Sequence, residues 1–142
     1  MVQRRIGIRS ETPAVVATEV PVERLLLDQE NPRFASSGAQ QSQEDILRIL
    51  WTEMAVDEVA LSIAHNGYYR QEPLLVIAET QPEPDEQKRK YIVAEGNRRL
   101  AAVLLLRDTG LRQRIRATEL PVLSAEARAH LARLPGLIYP TR

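Results

Sequence analysis

The sequence predicts a small single domain that mixes strands and helices, of the α/β or α+β class. A chain of 142 residues with 44% hydrophobic residues can bury a sizeable core and falls within the size of one domain. Short apolar runs rich in β-branched residues alternate with segments of helical periodicity. The resulting order of elements (strand, helices, strand, strand, helix, strand) is typical of these two classes, and no internal repeat is visible.

The two ends of the chain are predicted to lie outside the folded domain. Residues 1–17 are polar and β-branched, contain Pro13 and show no clear periodicity, so we expect a flexible N-terminal arm. The domain is expected to span residues 18–134, with residues 135–142 as a C-terminal tail. Its first element is predicted to be a strand, or a strand and a turn, over residues 20–27.

Two loops and two helices are predicted next. Residues 28–33 contain Asn31-Pro32, which disfavours helix, and the polar tract 36–41 is expected to be a flexible loop. Ser42 followed by Asp45 resembles a capping box before a first helix whose apolar residues lie between positions 46 and 51. A second helix is predicted over residues 56–66, where Gly67 is a strong stop signal.

Two strands are predicted in the middle of the chain. Residues 72–78 are nearly continuous in apolar residues, which is typical of a central strand. The acidic, proline-containing segment 79–86 is predicted to be a solvent-exposed loop. A second strand is expected over residues 88–94.

The C-terminal third is predicted to contain a short strand and a last helix. The helix that follows Gly96 is expected to end at Thr109-Gly110. Residues 118–123 are predicted to form an edge strand, because Pro121 disfavours a central one. Ser124 is then expected to cap a helix that runs to Leu134.

The turn at Gly96 carries the sharpest functional signal. A helix is predicted to open there on Asn97, a preferred N-cap residue. Arg98 and Arg99 then lie in its first turn, where the positive end of the helix dipole disfavours cations. A bound phosphate would explain this placement, because free backbone N–H groups, the dipole and two guanidinium groups would all face it. The alternative interpretation, equally supported by the sequence, is that the two arginines are solvated side chains on an ordinary helix.

Composition excludes several classes of function. The chain has no cysteine, so disulfides, cysteine-based zinc sites and thiol catalysis are excluded. No apolar run approaches the ~20 residues of a membrane span and no signal peptide is visible, so we expect a cytoplasmic protein without a membrane partner. His65 and His130 have no matched carboxylate cluster, and no direct metal site is predicted. The neutral net charge hides a basic segment over residues 88–116, which favours polyanionic partners, although a solvated basic face is the commoner explanation.

Several segments, in this order, resemble the ParB/sulfiredoxin superfamily and more closely the ParB N-terminal domain. They are the helix 56–67 that ends in glycine, the strand that begins at Pro73, and the strand and helix 91–102 around Gly96-Asn97-Arg98-Arg99. The early Asn31-Pro32-Arg33 loop matches as well, and the resemblance covers roughly residues 20–123. It implies an α+β fold with a short mixed sheet and helices packed around it.

The resemblance also implies a nucleotide pocket for CTP or ATP, with Mg²⁺. In ParB proteins the Gly-x-Arg-Arg turn binds CTP phosphates, and in sulfiredoxin the equivalent turn holds ATP phosphates. The residues at matching positions are Gly96, Asn97, Arg98 and Arg99 for the phosphates, Ser62 and Gly67 for the opposite wall, and Gln71 and Glu72 beside the base.

Some residues of this chain differ from the patterns of the resembled family, and these differences limit the functions that the resemblance implies. Sulfiredoxin needs a cysteine where Asn97 stands, so sulfinic-acid reduction is excluded. ParB usually has glutamate at that position and arginine where Ala101 stands, which leaves the nucleotide open. The ParB motif that follows the first domain and the helix-turn-helix are absent, so we expect either a stand-alone variant or the N-terminal part of a longer protein.

Three hypotheses follow. The first is a nucleotide-responsive module in DNA partition, maintenance or DNA-related regulation in bacteria, plasmids or phage, with DNA, a protein partner or a homodimer as further partners. The alternative is an enzyme, an NTPase or metal-dependent DNase of the ParB-like nuclease type, with Glu95 as the catalytic candidate. The third is a domain that binds no nucleotide and serves only as an interaction module.

Overall fold

The chain forms a five-stranded mixed sheet with helices packed around it. A computed structural model describes residues 14–30, 42–79 and 83–140. In chain order the main elements are β1 (Val16–Pro21), β2 (Leu25–Leu26), α1 (Gln43–Glu53), α2 (Val56–Asn66), β3 (Leu74–Ala78), β4 (Tyr91–Glu95), α3 (Asn97–Arg107), α4 (Thr109–Ile115), α5 (Ala125–His130) and β5 (Arg133–Tyr139). Two 3-10 turns, Val22–Arg24 and Glu86–Lys88, precede β2 and β4. The α+β prediction with a short mixed sheet is confirmed.

The strands lie in the order β1-β5-β3-β4-β2. β3 is the central strand, as its continuous apolar sequence predicted, and it pairs antiparallel with β4 and parallel with β5. β1 pairs antiparallel with β5 at one edge, and the short β2 pairs parallel with β4 at the other. Leu74 and Val76 of β3 are fully buried, as is Val93 of β4.

Among the helices that the structure describes, α3 has the most buried residues. Its buried residues lie on nearly every side of the helix and are Leu100, Ala101, Ala102, Val103, Leu105 and Leu106. A helix that is apolar around its circumference belongs inside a protein. The surrounding core therefore fixes α3, and its first turn, with two arginines, is half-buried, as are Leu104 and Arg107.

The two predicted helices α1 and α2 are confirmed. Ser42 caps α1 through its side chain, which accepts from the backbone N–H of Asp45 at 3.1 Å, and the Asp45 carboxylate completes the capping box. α2 ends at Gly67, whose φ of +81° favours glycine and whose N–H donates to the carbonyl of Ile63.

The ends of the chain differ from the sequence prediction. β1 begins at Val16, inside the range predicted as the arm. The last helix, expected to reach Leu134, ends at His130, and Arg133–Tyr139 form β5 where a tail was predicted. Pro135 lies in β5 before the pairing with β3 begins at Gly136, so at this residue β5 is an edge strand paired with β1 alone, and proline is tolerated in edge strands.

The segment after α3 also differs from the prediction. The helix α3 stops at Arg107, and Asp108 caps the further helix α4 by accepting from the N–H of Leu111 at 3.0 Å. Residues 118–123 form turns and coil instead of the predicted strand. Buried Arg112 donates to the carbonyls of Leu120 at 2.8 Å and Pro121 at 3.1 Å, so a side chain satisfies this backbone instead of a neighbouring strand.

Several predicted features lie outside the described residues: most of the N-terminal arm, the Asn31-Pro32-Arg33 turn, the loop 36–41 and part of the acidic loop. Among the residues that the structure describes, no helix is both long enough and apolar enough to cross a membrane.

Candidate functional site

The start of α3 is a glycine turn held close to the sheet. Gly96 has φ +110° and ψ 19°, and a Cβ placed on it would lie 2.4 Å from the Cδ2 of buried Leu74. Both its backbone and its surroundings therefore require glycine. Gly96 is the N-cap residue, so the prediction that Asn97 caps the helix is wrong. No side chain caps this helix start within the described part of the chain.

The side chain of Asn97 supports the turn through hydrogen bonds to two backbone groups. Its Oδ1 accepts from the backbone N–H of Asp28 at 2.9 Å, and its Nδ2 donates to the carbonyl of Val93 at 2.9 Å. The side chain thus ties the segment after β2 to the middle of β4. Its role in the structure is to hold the backbone in place.

Arg98 and Arg99 extend to two different parts of the facing wall. The Nη2 of Arg98 donates to the carbonyl of Ala55 at 3.1 Å, at the start of α2, and its Nε is buried without a partner in the described structure. The Nη1 of Arg99 donates to the carbonyl of Glu72 and lies 3.5 Å from the Tyr68 hydroxyl. Neither guanidinium forms an ion pair with any residue that the structure describes.

A cleft of about 320 Å³ opens between α2, the turn after it and the first turn of α3. This volume lies at the small end of the ~300–1,000 Å³ that is typical of ligand pockets. The lining residues are Glu58, Val59, Ser62, Ile63, Gly67, Tyr68, Tyr69, Glu72, Arg98 and Arg99. The cleft thus combines two cations, two carboxylates and hydroxyl groups with a lining surface that is mainly apolar.

The environment of Tyr68 reflects its place between core and cleft. Burial raises the pKa of its hydroxyl above the ordinary tyrosine value, and the nearby Arg99 guanidinium partly opposes this shift. The hydroxyl is therefore protonated at neutral pH and is able to donate a hydrogen bond into the cleft. The next residue, Tyr69, is 59% exposed and forms the outer rim.

Five of the residues predicted from sequence line this one cleft. Ser62 and Gly67 lie on the α2 side, Glu72 follows in the turn, and Arg98 and Arg99 face them from α3. Their convergence requires the packing of α2 against α3, which places segments more than thirty residues apart beside each other.

The other predicted site residues lie elsewhere. Gly96 forms the turn beneath the cleft, and Asn97 contacts backbone groups on the far side. Neither Gln71 nor Glu95 lines the cleft formed by the described residues, and both are exposed. No group of three or more potential metal ligands occurs in residues 14–30, 42–79 and 83–140.

The sequence did not single out Glu58 or the two tyrosines as site residues. Glu58 lies one helical turn before Ser62, so an i, i+4 search from Ser62 would have found it. Tyr68 and Tyr69 directly follow Gly67, the predicted end of α2. Aromatic side chains beside a predicted phosphate turn are the signal that would have identified them.

Comparison with known proteins identifies no family for the chain. No protein-family model and no curated protein matches the sequence. One similar solved structure is that of the C-terminally truncated chromosome-partitioning protein ParB from Caulobacter crescentus, complexed with CTP-γ-S. The TM-score is 0.42, the sequence identity is 21%, and the match covers 89% of this chain. The chain spans less than half of that protein's chain, of which 46% is covered.

Proposed function

We propose that this protein is a nucleotide-binding module that holds CTP or ATP by its phosphates at the start of α3. The observation that carries the proposal is the position of two half-buried arginines on the wall of a cleft, at the start of an 11-residue helix. Among the described residues, neither arginine has an ion-pair partner and no side chain caps this helix start. Cations at the positive end of a helix repel its dipole, and a polyphosphate there reverses the sign of that interaction.

The hydrogen bonds of both arginines support this role. Each guanidinium has five N–H donors, and the bonds to Ala55 and Glu72 use only part of them. These bonds hold the two guanidinium groups in place without a ligand, that of Arg98 at the start of α2 and that of Arg99 at the turn after α2. The Nε of Arg98 gives no separate support, because it is buried and because the Nε atoms of Arg107 and Arg112 are likewise buried without a partner among the described residues.

The carboxylates of the cleft fit a magnesium nucleotide better than a bare one. Glu58 and Glu72 line the same space as the arginines. Mg²⁺ usually keeps several waters and is held by one or two carboxylates together with substrate phosphates. These two side chains are therefore the residues that would hold the hydrated ion, which would offset part of the phosphate charge.

The sequence resemblance to the ParB N-terminal domain supports the same ligand class. It also suggests the biological setting of DNA partition, maintenance or DNA-related regulation, with DNA, a protein partner or a second copy as further partners. The proposed nucleotide would then bias such an interface by binding one conformation of the module more tightly.

We propose binding in preference to catalysis. Hydrolysis of a phosphate bond requires a group that positions the attacking water. Glu95, the candidate nearest to the arginines in sequence, is exposed and does not line the cleft of the described residues. If Glu95 has no catalytic role, any turnover of nucleotide will be the same in wild type and in Glu95→Gln.

The proposal is tested by a thermal-shift panel of ATP, CTP, GTP and UTP with and without Mg²⁺, followed by calorimetric titration. A ligand at 100 times its dissociation constant stabilises the native state by about 2.7 kcal/mol. For a domain of this size, that corresponds to a shift of the melting temperature of roughly 5–10 °C. CTP or ATP is expected to give such a shift.

The decisive variant is Arg98→Ala/Arg99→Ala, which is expected to abolish binding. Its matched control is Lys88→Ala/Lys90→Ala, which removes two exposed positive charges from the same basic segment outside the cleft. Affinities are compared, and not melting temperatures alone, because the arginine variant also loses bonds to two backbone carbonyls. Equal affinity in the wild type and the arginine variant would contradict the proposal.

A further inference from the structure

The core of the domain lies on one face of the sheet. On that face, Leu74 and Val76 of β3, Val93 of β4 and Leu134 of β5 are buried and belong to the same core cluster as apolar residues of α1, α2 and α3. Successive side chains of a strand point to opposite faces of a sheet, so the neighbours of these residues in sequence lie on the other face. We call that second side of the sheet the outer face.

The outer face is apolar across four strands. The register places Ile77 of β3 beside Ile92 of β4 on one side and Tyr139 of β5 on the other. Its large apolar residues, each half-buried, are Leu26, Leu75, Ile77, Ile92, Leu137 and Tyr139. Within the described part of the chain, none of these six belongs to the core cluster or packs against it. The outer face therefore lacks a second layer among the described residues.

The sequences of the inner strands are those of strands covered on both sides. All five residues of β3, Leu74–Ala78, are apolar, and β5 has no charged residue after Arg133. Continuous apolar strands are typical of sheets with a layer on each face, whereas a sheet with one solvated face usually alternates apolar and polar residues. Because an apolar sheet face is normally buried against another layer, these strands indicate a partner for the outer face.

Opposite charges lie at one end of the outer face, on either side of β3. The β-bulge in β4 places Glu95 opposite Leu75, and Arg133 begins β5 at the same end of the sheet. Both residues are exposed, and neither side chain forms an ion pair with a described residue. Glu19 of β1, a further charge at this end, is already paired with Arg70 at 3.0 Å. Glu95 and Arg133 are therefore available to a partner.

We propose that the outer face is the interface of a homodimer in which two sheets pack face to face about a two-fold axis that runs along β3. Such an axis lays β4 of each copy across β5 of the other, because these strands flank β3 on opposite sides. The apolar residues of the two copies then cover each other. Arg133 of each copy lies toward Glu95 of the other, and this charge complementarity favours a second copy of the chain as the partner.

The size of the outer face predicts a weak dimer. With strands ~4.8 Å apart and ~3.3 Å per residue, its four strands span roughly 15–20 Å in each direction. Two such faces bury less than the ~1,200–2,000 Å² that is typical of stable interfaces. We therefore expect association that depends on protein concentration in the micromolar range.

The test is sedimentation equilibrium of the full chain over roughly 1 µM to 1 mM protein. Ile77→Glu places a charge in the middle of the outer face and is expected to weaken dimerisation at least tenfold. Val122→Glu, the matched control, introduces the same charge at a residue that is 76% exposed and outside the sheet, and it is expected to have no effect. Circular dichroism checks that each variant is folded.

A charge exchange tests the arrangement without touching a buried residue. Arg133→Glu and Glu95→Arg are each expected to weaken the dimer at least threefold, because each places two like charges together. The double variant is expected to restore most of the affinity, since it exchanges the two charges. Both positions are exposed, so these variants remain informative if Ile77→Glu does not fold.

Three results would overturn the inference. If the wild type stays monomeric at the highest concentration, another part of the chain or another partner covers the outer face. If Ile77→Glu folds and dimerises as tightly as the wild type, the dimer uses a different surface. If the double charge variant is no tighter than the single ones, the two-fold arrangement is wrong. None of these measurements involves nucleotide, so the proposed function stands or fails separately.

Discussion

Replacing Gly96 with alanine is expected to destabilise the domain through two separate effects. The φ of Gly96 is +110°, a backbone conformation that residues with a Cβ rarely adopt. The added methyl group would also lie 2.4 Å from the Cδ2 of Leu74, a fully buried residue of the central strand, and 3.0 Å from the Nη2 of Arg99. The Nη2 of Arg99 lies at the end of a long side chain and is able to shift slightly, whereas Leu74 is fully buried.

The size of the effect follows from these contacts. A left-handed backbone conformation costs an alanine about 1–2 kcal/mol. Forcing an extra methyl group into a packed core costs about 1–3 kcal/mol. If the two effects add, Gly96→Ala loses about 2–5 kcal/mol of the ~5–15 kcal/mol that is typical of a folded domain.

Urea denaturation followed by circular dichroism measures this loss, with Gly110→Ala as the matched control. Gly110 lies in the first turn of α4, its φ is not positive, and a Cβ there would meet its neighbours at 3.4 Å or more. The control is therefore expected to leave stability unchanged or to raise it by about 0.4–1 kcal/mol.

Two results would refute the reasoning. If Gly96→Ala unfolds at the same urea concentration as the wild type, the turn at the start of α3 is not held against the sheet as described. If Gly96→Ala and Gly110→Ala are destabilised equally, the effect of a methyl group does not depend on φ or on the contact with Leu74.

Three further substitutions probe groups around the site and the core. Asn97→Ala removes the hydrogen bonds of this side chain to the N–H of Asp28 and the carbonyl of Val93 and is expected to lose about 1–3 kcal/mol of stability in urea denaturation. Full stability of the variant would show that these bonds are dispensable. The pKa of Glu44 is lowered first by its hydrogen bond to Arg114 and then by its hydrogen bond to Arg48, so the stability that these contacts give is present above about pH 4.3 and is lost as the pH falls through the folded-state pKa. Glu44→Gln removes this contribution. A stability difference between the variant and the wild type that does not change with pH would contradict the reasoning. Burial raises the pKa of the Tyr68 hydroxyl, so the stability that this group contributes is fully present below about pH 10 and is lost as the pH rises through the folded-state pKa. Tyr68→Phe has no group that ionises there. The variant is therefore expected to lose less stability in alkali than the wild type does.

Elements with local signals were predictable from the sequence. The bounds of α2 follow from its apolar periodicity and from Gly67, and α1 follows from its capping box, because each signal lies within a few residues of the element that it defines. The central position of β3 follows from its continuous apolar sequence. In each case the deciding interaction is short in sequence.

The errors concern residues whose conformation depends on distant partners. Asn97 and Gly96 are both good N-cap residues, and the choice between them depends on the contact of Gly96 with Leu74 more than twenty residues earlier. Pro135-Gly136 is a typical helix stop and gives no indication that a strand continues through it. The strand expected at residues 118–123 fails because a buried arginine, Arg112, supplies the hydrogen bonds instead.

In the candidate site, too, some features follow from the local sequence and others depend on distant contacts. Arg98 and Arg99 were identifiable because they conflict with the helix dipole, a property of the local sequence. The size of the cleft and the place of Glu58 in it depend on how α2 packs against α3, which periodicity does not specify. Glu95 illustrates the limit: it directly precedes Gly96, yet it does not reach the cleft of the described residues.

The position of β5 in the sheet has a consequence for how the protein folds. β5 lies between β1 and β3, so the first and the central strands are joined only through a strand near the other end of the chain. Closing such a long loop costs chain entropy before any pairing is gained, and domains with many contacts of this kind fold slowly. We expect β3, β4, α2 and α3, which are close in sequence, to form first, and β1 to remain unpaired until β5 has docked against β3.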